Sequence, residues 1–298
     1  MLIGQLEYLV FSNDNADIVP AEDRYKYIDD LTVLQLVCLS GLLTEYNFTE
    51  HVASDIGIGQ VYLPAVSYPT QDKLNYISNW STENLAKLNE EKCNYMIFSR
   101  AKEDFATRLT VNNCKLDQKS VTKILGVWIS EDLSWERNTK EICRRAFSRL
   151  SMLTKLRYVG VSTEDLLEIY VLFIRSITEY CAVAFHSTLT VEQATDIERV
   201  QKTCLRIILG DNFVSYEAAL EMTGLETLHA RREGRCLSFA LKCLKHPINS
   251  RMFPLNSNPG PGVMDVRNRE VFEVNFARTE KYRTSALPFC QRKLNAHF

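Results

Sequence analysis

Several signatures are missing from this 298-residue sequence. No Cys-x-x-Cys occurs, and five histidines among nine cysteines at 38, 93, 114, 143, 181, 204, 236, 243 and 290 complete no zinc pattern. An odd cysteine count without regular spacing excludes a disulfide framework and a disulfide-linked partner. The thiols therefore read as small apolar residues of a reduced, intracellular protein, in cytoplasm or nucleus. Cys236 and Cys243 are seven apart, which is core spacing on a helix. The start Met-Leu-Ile-Gly-Gln-Leu-Glu has no basic region and is no signal peptide. A long apolar run is also lacking. In the window Ile169 to Phe185 the longest stretch is Ile169 to Ile174, with Glu168, Arg175 and Glu179 as punctuation. A membrane-spanning helix needs ~20 apolar residues, so this is a core helix and no membrane partner is expected. Repeats and low-complexity tracts are absent.

What is present is 46% hydrophobic and 24% charged, enough for one or two cores at ordinary charge. The net charge of −2 is unevenly spread. Residues 1–91 hold 4 Lys+Arg and 14 Asp+Glu, and the remainder 31 and 23. Such an acidic start and basic remainder suit either chance drift between domains or a nucleic-acid-gripping second half.

The most informative segment is Arg24 to Leu34. Tyr25 and Tyr27 alternate with polar residues before Asp29-Asp30, and Leu31 and Val33 alternate after it. The pattern predicts a tight hairpin with both carboxylates at its tip. Paired carboxylates repel, and a divalent cation relieves the repulsion, whereas a bare Asp-Asp also serves as turn chemistry. Farther along, Leu74, Ile77, Ser81, Leu85 and Leu88 recur at helical spacing after a Gly- and Pro-bearing loop at 47–69. Asn94 to Ser99 and Val121 to Ile129 read as strands, and Arg108 to Asn113 as a further one.

After Trp135 the pattern is helical. Residues 137–157 carry Arg137, Lys140, Arg144, Arg145, Arg149, Lys155 and Arg157 against Glu141, with Ile142, Ala146, Leu150 and Leu153 as the apolar stripe. Ser162-x-x-Asp165 starts a helix through Phe185, and Thr190-x-x-Gln193 starts one that stops at Gly210. A last long helix runs from about Glu226 to Lys245. Its Arg231, Arg232 and Arg235 read as a solvated face, as do Arg199, Lys202 and Arg206. Ser257 to Gly262 breaks the chain, Phe272, Val274 and Phe276 alternate as a strand, and Tyr282 opens a final helix.

Tyr27-Ile28-Asp29-Asp30 resembles the catalytic hairpin of a reverse transcriptase of the non-LTR retrotransposon type. The resemblance continues in order. Met1 to Asn15, with Gly4 and Ser12-Asn13-Asp14, is similar to the strand before that hairpin. Leu88 to Phe98, with Asn89 and Lys92, is similar to the next palm motif. Lys123 to Ser130 is similar to the primer-grip hairpin, with Leu125, Gly126 and Val127 as the implied grip residues. Residues 134 to 245 are similar to the helical thumb.

The resemblance implies an α+β chain. Residues 1–133 would be a partial palm of β-hairpin, small antiparallel sheet and packed helices, 134–250 an all-helical thumb, and 251–298 a tail with a short strand and helix. It implies RNA-directed DNA synthesis by nucleotidyl transfer, with Mg²⁺ on Asp29 and Asp30. Tyr27 would lie near the primer end and Lys92 near the leaving pyrophosphate, and Gly126 would shape the grip. An RNA template and a DNA primer are the implied partners, with Lys140, Arg144, Arg145 and Arg149 on backbone phosphate.

The family's first catalytic Asp lies on a strand upstream of the hairpin. Only 26 residues precede Tyr27 here, and Asp14, Asp17 and Asp23 have no strand periodicity. The expectation is therefore the C-terminal part of a polymerase. Two other readings stand beside it: a non-catalytic nucleic-acid-binding remnant, and a protein-interaction module. Asn79 to Phe98 also resembles a short module of some alkylated-DNA repair proteins, without the His-carboxylate-His set of oxidative demethylation.

Because one hairpin does not supply both walls of a two-metal site, the purified 298-residue chain is expected to give no primer extension on a primed RNA template with Mg²⁺. Robust extension that Asp29→Ala abolishes would contradict this and would point to another acid, such as Asp14, completing the site.

Overall fold

The structure is a computed structural model. It describes residues 71–72, 74–83, 88–98, 109–247, 249–256 and 271–298, together with the backbone of 2–5, 24–27 and 30–33. The loop expected at 47–69 and the breaker at 257–262 lie outside these residues. The chain divides into two compact units, Met1–Ser134 and Trp135–Phe298. Strands dominate the first and helices the second, a mixed α+β chain.

The first unit is built around β1 (Leu2–Gln5). β2 (Arg24–Tyr27) and β3 (Asp30–Val33) pair antiparallel, Tyr27 opposite Asp30 and Arg24 opposite Val33. β3 also pairs antiparallel with β1, Asp30 opposite Gln5. Helix α1 covers residues 71–72 and 74–83; of the later spacing residues Leu85 lies outside the described residues and Leu88 is not helical. A single 3₁₀ turn at Glu90–Lys92 then leads into β4 (Asn94–Tyr95), which pairs with the free side of β1. β4 is shorter than the strand expected to Ser99, which itself lies outside the described residues. Leu74, Ile77, Leu88, Cys93, Tyr95, Leu109, Val111 and Leu116 form the apolar core.

Where one strand was expected near 108–113 there is a hairpin, β5 (Thr110–Val111) and β6 (Cys114–Lys115). Asn112 and Asn113 both have positive φ, and asparagine tolerates that region better than most residues. β7 (Asp117–Gln118) runs parallel to β4 and closes the sheet order β2-β3-β1-β4-β7. β8 (Val121–Ile124) and β9 (Val127–Ser130) form a separate hairpin. Its turn residues Leu125 and Gly126 have φ of 47° and 87°. Two consecutive positive φ values match the right-handed twist of the strands.

In the second unit, the expected basic helix is two: α2 (Glu136–Ser148) and α3 (Leu150–Tyr158), with a tight turn at Arg149. There the Arg149 amide bonds to the Ala146 carbonyl, three residues back. α4 (Thr163–Ile169) begins at Ser162, whose hydroxyl accepts from the Asp165 amide at 3.1 Å. The helix expected to reach Phe185 widens into a π turn over Tyr170–Arg175 and resumes as α5 (Ser176–Glu179). It breaks at Cys181, left-handed at φ 52°, before α6 (Ala182–Phe185).

The capping box of α7 (Val191–Leu209) is complete, with Thr190 and Gln193 bonding each other's backbone amides at 3.2 and 3.0 Å. Gly210 ends α7 at φ 54°. α8 (Tyr216–Thr223) follows, then α9 (Leu228–Leu244), which lies inside its expected bounds with Thr227 as its cap. Residues 251–298 were set apart as a tail by sequence. In the structure Phe253, Phe272, Cys290 and Leu294 share one core with Cys236, Ala240 and Cys243 of α9. The strand expected at Phe272–Phe276 is only a bridge from Phe272 to Leu255, and Phe276 is 85% exposed. Around that bridge the Asn256 amide bonds the Val271 carbonyl and the Glu273 amide bonds the Pro254 carbonyl, and side chains of the last helix take up further backbone groups. Asn295 bonds both the amide and the carbonyl of Phe272. Two final helices, α10 (Glu280–Arg283) and α11 (Ala286–His297), stand where one was expected.

The β8–β9 turn yields a stability test. Leucine at positive φ costs on the order of 1 kcal/mol, whereas asparagine is tolerated there. Leu125→Asn is expected to stabilise the first unit by up to about 1 kcal/mol and Gly126→Ala to destabilise it by a similar amount. Denaturant unfolding followed by Trp128 fluorescence reads both, and shifts of the same sign would contradict the turn geometry.

Candidate functional site

The topology of the first unit gathers the expected catalytic segments at one end of the sheet. Asp30, expected with Asp29 at the hairpin tip, instead opens β3, where it faces Tyr27 and Gln5, the last residues of β2 and β1. β4 begins at Asn94, opposite Ile3, so Lys92, two residues earlier, lies toward that same end with β1 between. Two strand spacings separate β3 from β4, about 10 Å of backbone. Lys92 is exposed at the close of the 3₁₀ turn, where its carbonyl accepts from the Asn94 side chain at 3.1 Å. Asp29 lies outside the described residues, and Asp30 is described as backbone alone. Among the described residues no group of three or more His, Cys, Asp or Glu is gathered as a metal site.

Of the three residues expected in a primer grip, Leu125 and Gly126 are exposed at the turn and Val127 is buried. Lys123 sits over the Trp128 ring at 5.9 Å from its centroid, opposite it in the register. The Thr122 hydroxyl bonds Asn94 Oδ1 at 3.2 Å, so the hairpin is tied to the strand that follows Lys92.

In the second unit, α2 and α3 present Lys140, Arg144, Arg145, Arg149 and Lys155 to solvent. Two of these are paired along the helix: Lys140 with Glu136 at 2.5 Å and Arg144 with Glu141 at 2.6 Å. The pair holds the Glu141 carboxyl below its ordinary range, chiefly through the hydrogen bond from Arg144. Arg157 does something else. Its guanidinium donates to the Ile207 carbonyl at the end of α7, where cations are favoured. A Cβ at Gly210 would collide with that guanidinium.

The reading of Arg231, Arg232 and Arg235 as a solvated face is overturned for Arg231 and Arg232, whereas Arg235 keeps about half of its side chain in solvent. Glu179, 3% exposed, receives Arg231 at 2.5 Å, Arg235 at 2.7 Å and Arg175 at 3.7 Å. Burial alone would raise its pKa. The hydrogen bond from Arg231 and the neighbouring guanidiniums outweigh that and bring it below the ordinary carboxylate value. Arg232 is fully buried, and its Nε donates to Nδ1 of His186 at 3.4 Å. Its terminal nitrogens have no acceptor among the described residues, and Glu198 and Glu179 offset its charge at longer range. His186 is pulled down to about 4, first by burial and then by Arg232.

Beside it lies a cavity of about 520 Å³ lined in part by Ser187, Glu198, His229, Glu233 and Phe289. Glu198 accepts from the Leu228 and His229 amides at 2.9 and 3.1 Å, so an internal carboxylate fills the start of α9. A hydrogen-bonded chain, Tyr170 to Gln201 to Tyr216 to Glu198, buried at its Tyr170 end, ties α7 to the π turn and α8. Sequence reading missed this network. Its one visible signal was a carboxylate, Glu179, inside the most apolar window.

Acid should therefore weaken the helical unit. His186 titrates at about 6.5 when exposed and at about 4 in the fold, so the unfolded chain takes up its proton first. The stability linked to this group is present above 6.5 and is lost as pH falls to about 4. Glu179 adds a loss at lower pH, as its own depressed value is crossed. His186→Gln is expected to remove the first step in thermal unfolding measured across a pH series. Glu179→Gln is expected to cost about 3 kcal/mol at neutral pH by removing the buried carboxylate that faces Arg175, Arg231 and Arg235. A pH-independent difference between wild type and His186→Gln would contradict the assignment.

Among the described residues no helix is long and apolar enough to cross a membrane, and the eight described cysteines are free thiols. Comparison with protein-family models, with curated proteins and with solved structures finds no match to this chain.

Proposed function

We propose that this chain is a reverse-transcriptase-like protein. Its strand-rich unit would carry palm elements with Asp29, Asp30 and Lys92 at the nucleotide end, and its helical unit would be a thumb that grips nucleic acid. The observation that carries the reading is the sheet order. β1 lies between the β2–β3 hairpin and β4, so the segments of Asp30 and Lys92 share one end of one sheet. Further support comes from the β8–β9 hairpin, tied to β4 through Thr122 and Asn94. The family reaction is RNA-directed DNA synthesis, for which Mg²⁺ on the carboxylate pair would offset the charge of the incoming triphosphate.

A second reading keeps nucleic-acid binding without catalysis. It is favoured by the exposed cations of α2 and α3. Arg145, Arg149 and Lys155 are solvent-facing, and Arg144 is held in place by Glu141. Cations presented along one helical stretch bind backbone phosphate without reading sequence.

Binding to a DNA–RNA hybrid or duplex tests both readings. Affinity should fall steeply with salt, with a log-log slope of about −0.9 per phosphate neutralised on duplex DNA. Replacing Arg144, Arg145 and Arg149 with Gln keeps helix propensity nearly constant. The triple variant should bind more weakly, with a flatter salt slope and an unchanged circular dichroism spectrum. Equal affinity and slope for wild type and variant would leave the basic face merely solvated and move the assignment to a protein-interaction module.

A further inference from the structure

The outward face of α2 and α3 carries more than cations. Lys140, Arg144, Ser148, Ser151, Lys155 and Tyr158 recur at intervals of three and four residues, and all are exposed. Ile142, Ala146 and Leu153, on the opposite side, are buried. The face runs through the turn at Arg149, whose backbone stays right-handed helical. At helical rise it extends about 20 Å from Arg144 to Tyr158. Residues 142–163 contain no Asp or Glu, so the stretch suits an anionic partner.

Two aromatic rings share this face. Phe147, one turn from Arg144 and from Ser151, is 36% exposed, and Tyr158 at the end of α3 is 91% exposed. Tyr158 thus adds almost nothing to the core. Thr154 and Ser151, one and two turns before it, are too short to cover its ring, and their hydroxyls donate to the Leu150 and Ser148 carbonyls. Beyond it Val159 is exposed, and a Cβ on Gly160 would meet nothing within 4 Å. Lys155, one turn back, places a cation beside the ring. We propose that this face binds single-stranded nucleic acid: unpaired bases stack on Tyr158 and Phe147, while Arg144, Lys155 and the cations beside them hold the phosphates. This role rests on the nucleic-acid reading above and narrows it from paired to unpaired strands.

Stacking decides between the two kinds of strand. In a duplex each base lies between its neighbours and offers no free face. An unpaired base brings a planar π surface to an open ring, and every base has such a surface, so sequence matters little. An acidic peptide would satisfy the cations and leave both rings without a planar partner.

The test uses the full chain and two labelled probes, an oligothymidylate, which does not pair with itself, and a blunt duplex of the same length. Fluorescence anisotropy follows each over a salt series. Tyr158→Ala is expected to weaken binding of the single strand about tenfold, the size of one lost base–aromatic stack. Its salt slope should stay that of wild type, because no phosphate contact is lost. Tyr158→Trp should restore the affinity, since stacking needs a ring and no phenol. Duplex affinity should be equal for all three, and the exposed position should leave their circular dichroism spectra alike. Equal single-strand affinity for wild type and Tyr158→Ala, or an equal loss on strand and duplex, overturns the proposal and leaves the nucleic-acid reading standing. No binding of either probe by wild type overturns both.

Discussion

Glu179 is a single carboxylate holding three arginines drawn from two stretches of chain: Arg175 one turn earlier, and Arg231 and Arg235 on one side of α9. A buried ion is costly, and only close partners repay its desolvation. The contact therefore fixes how α9 lies against α5, and much follows from it. With Arg231 and Arg235 turned toward Glu179, Arg232 points into the core against His186. The start of α9 is then placed on Glu198, and through Glu198 on the Tyr216–Gln201–Tyr170 chain. On the other face of α9, Cys236, Ala240 and Cys243 receive α11. The helical unit is thus organised by a charged and hydrogen-bonded spine, with apolar clusters packed on either side of it.

What could be read from sequence were the features whose chemistry is local. Ser162 and Thr190 cap helices because each reaches an amide three residues on, and that spacing is visible in a string of letters. Gly210 stops α7 for the same kind of reason. The hairpin of β2 and β3 follows from side-chain alternation on either flank, but its register does not, and Asp30 falls in β3 rather than at the tip. Cys181 was missed as a break because cysteine carries no turn signal, and the apolar pattern runs straight through it. The role of Arg157 was hidden because its acceptor, Ile207, lies fifty residues away. Arg231 and Arg232 were misread for the same reason, their partners being 52 and 46 residues distant. A grouped set of arginines looks the same in sequence whether it faces water or a buried carboxylate.

For the candidate site, sequence named the segments and the structure adds their order in one sheet. The β2–β3 hairpin and the segment of Lys92 are separated by some sixty residues, yet only β1 lies between them. In the helical unit the basic stretch divides. Arg157 is spent inside the fold and Arg144 is braced by Glu141, whereas Arg145, Arg149 and Lys155 face solvent. The proposed nucleic-acid surface is accordingly narrower than the charge run suggests.

The claim that α2 and α3 form that surface is tested most directly by hydrogen–deuterium exchange with and without a primed RNA–DNA hybrid. The account predicts slower exchange confined within the helical unit to residues 136–158. It also predicts slower exchange at the β8–β9 hairpin and in the segments around Asp30 and Lys92. Unchanged exchange at 136–158, or protection centred instead on the cavity beside His186, would contradict it.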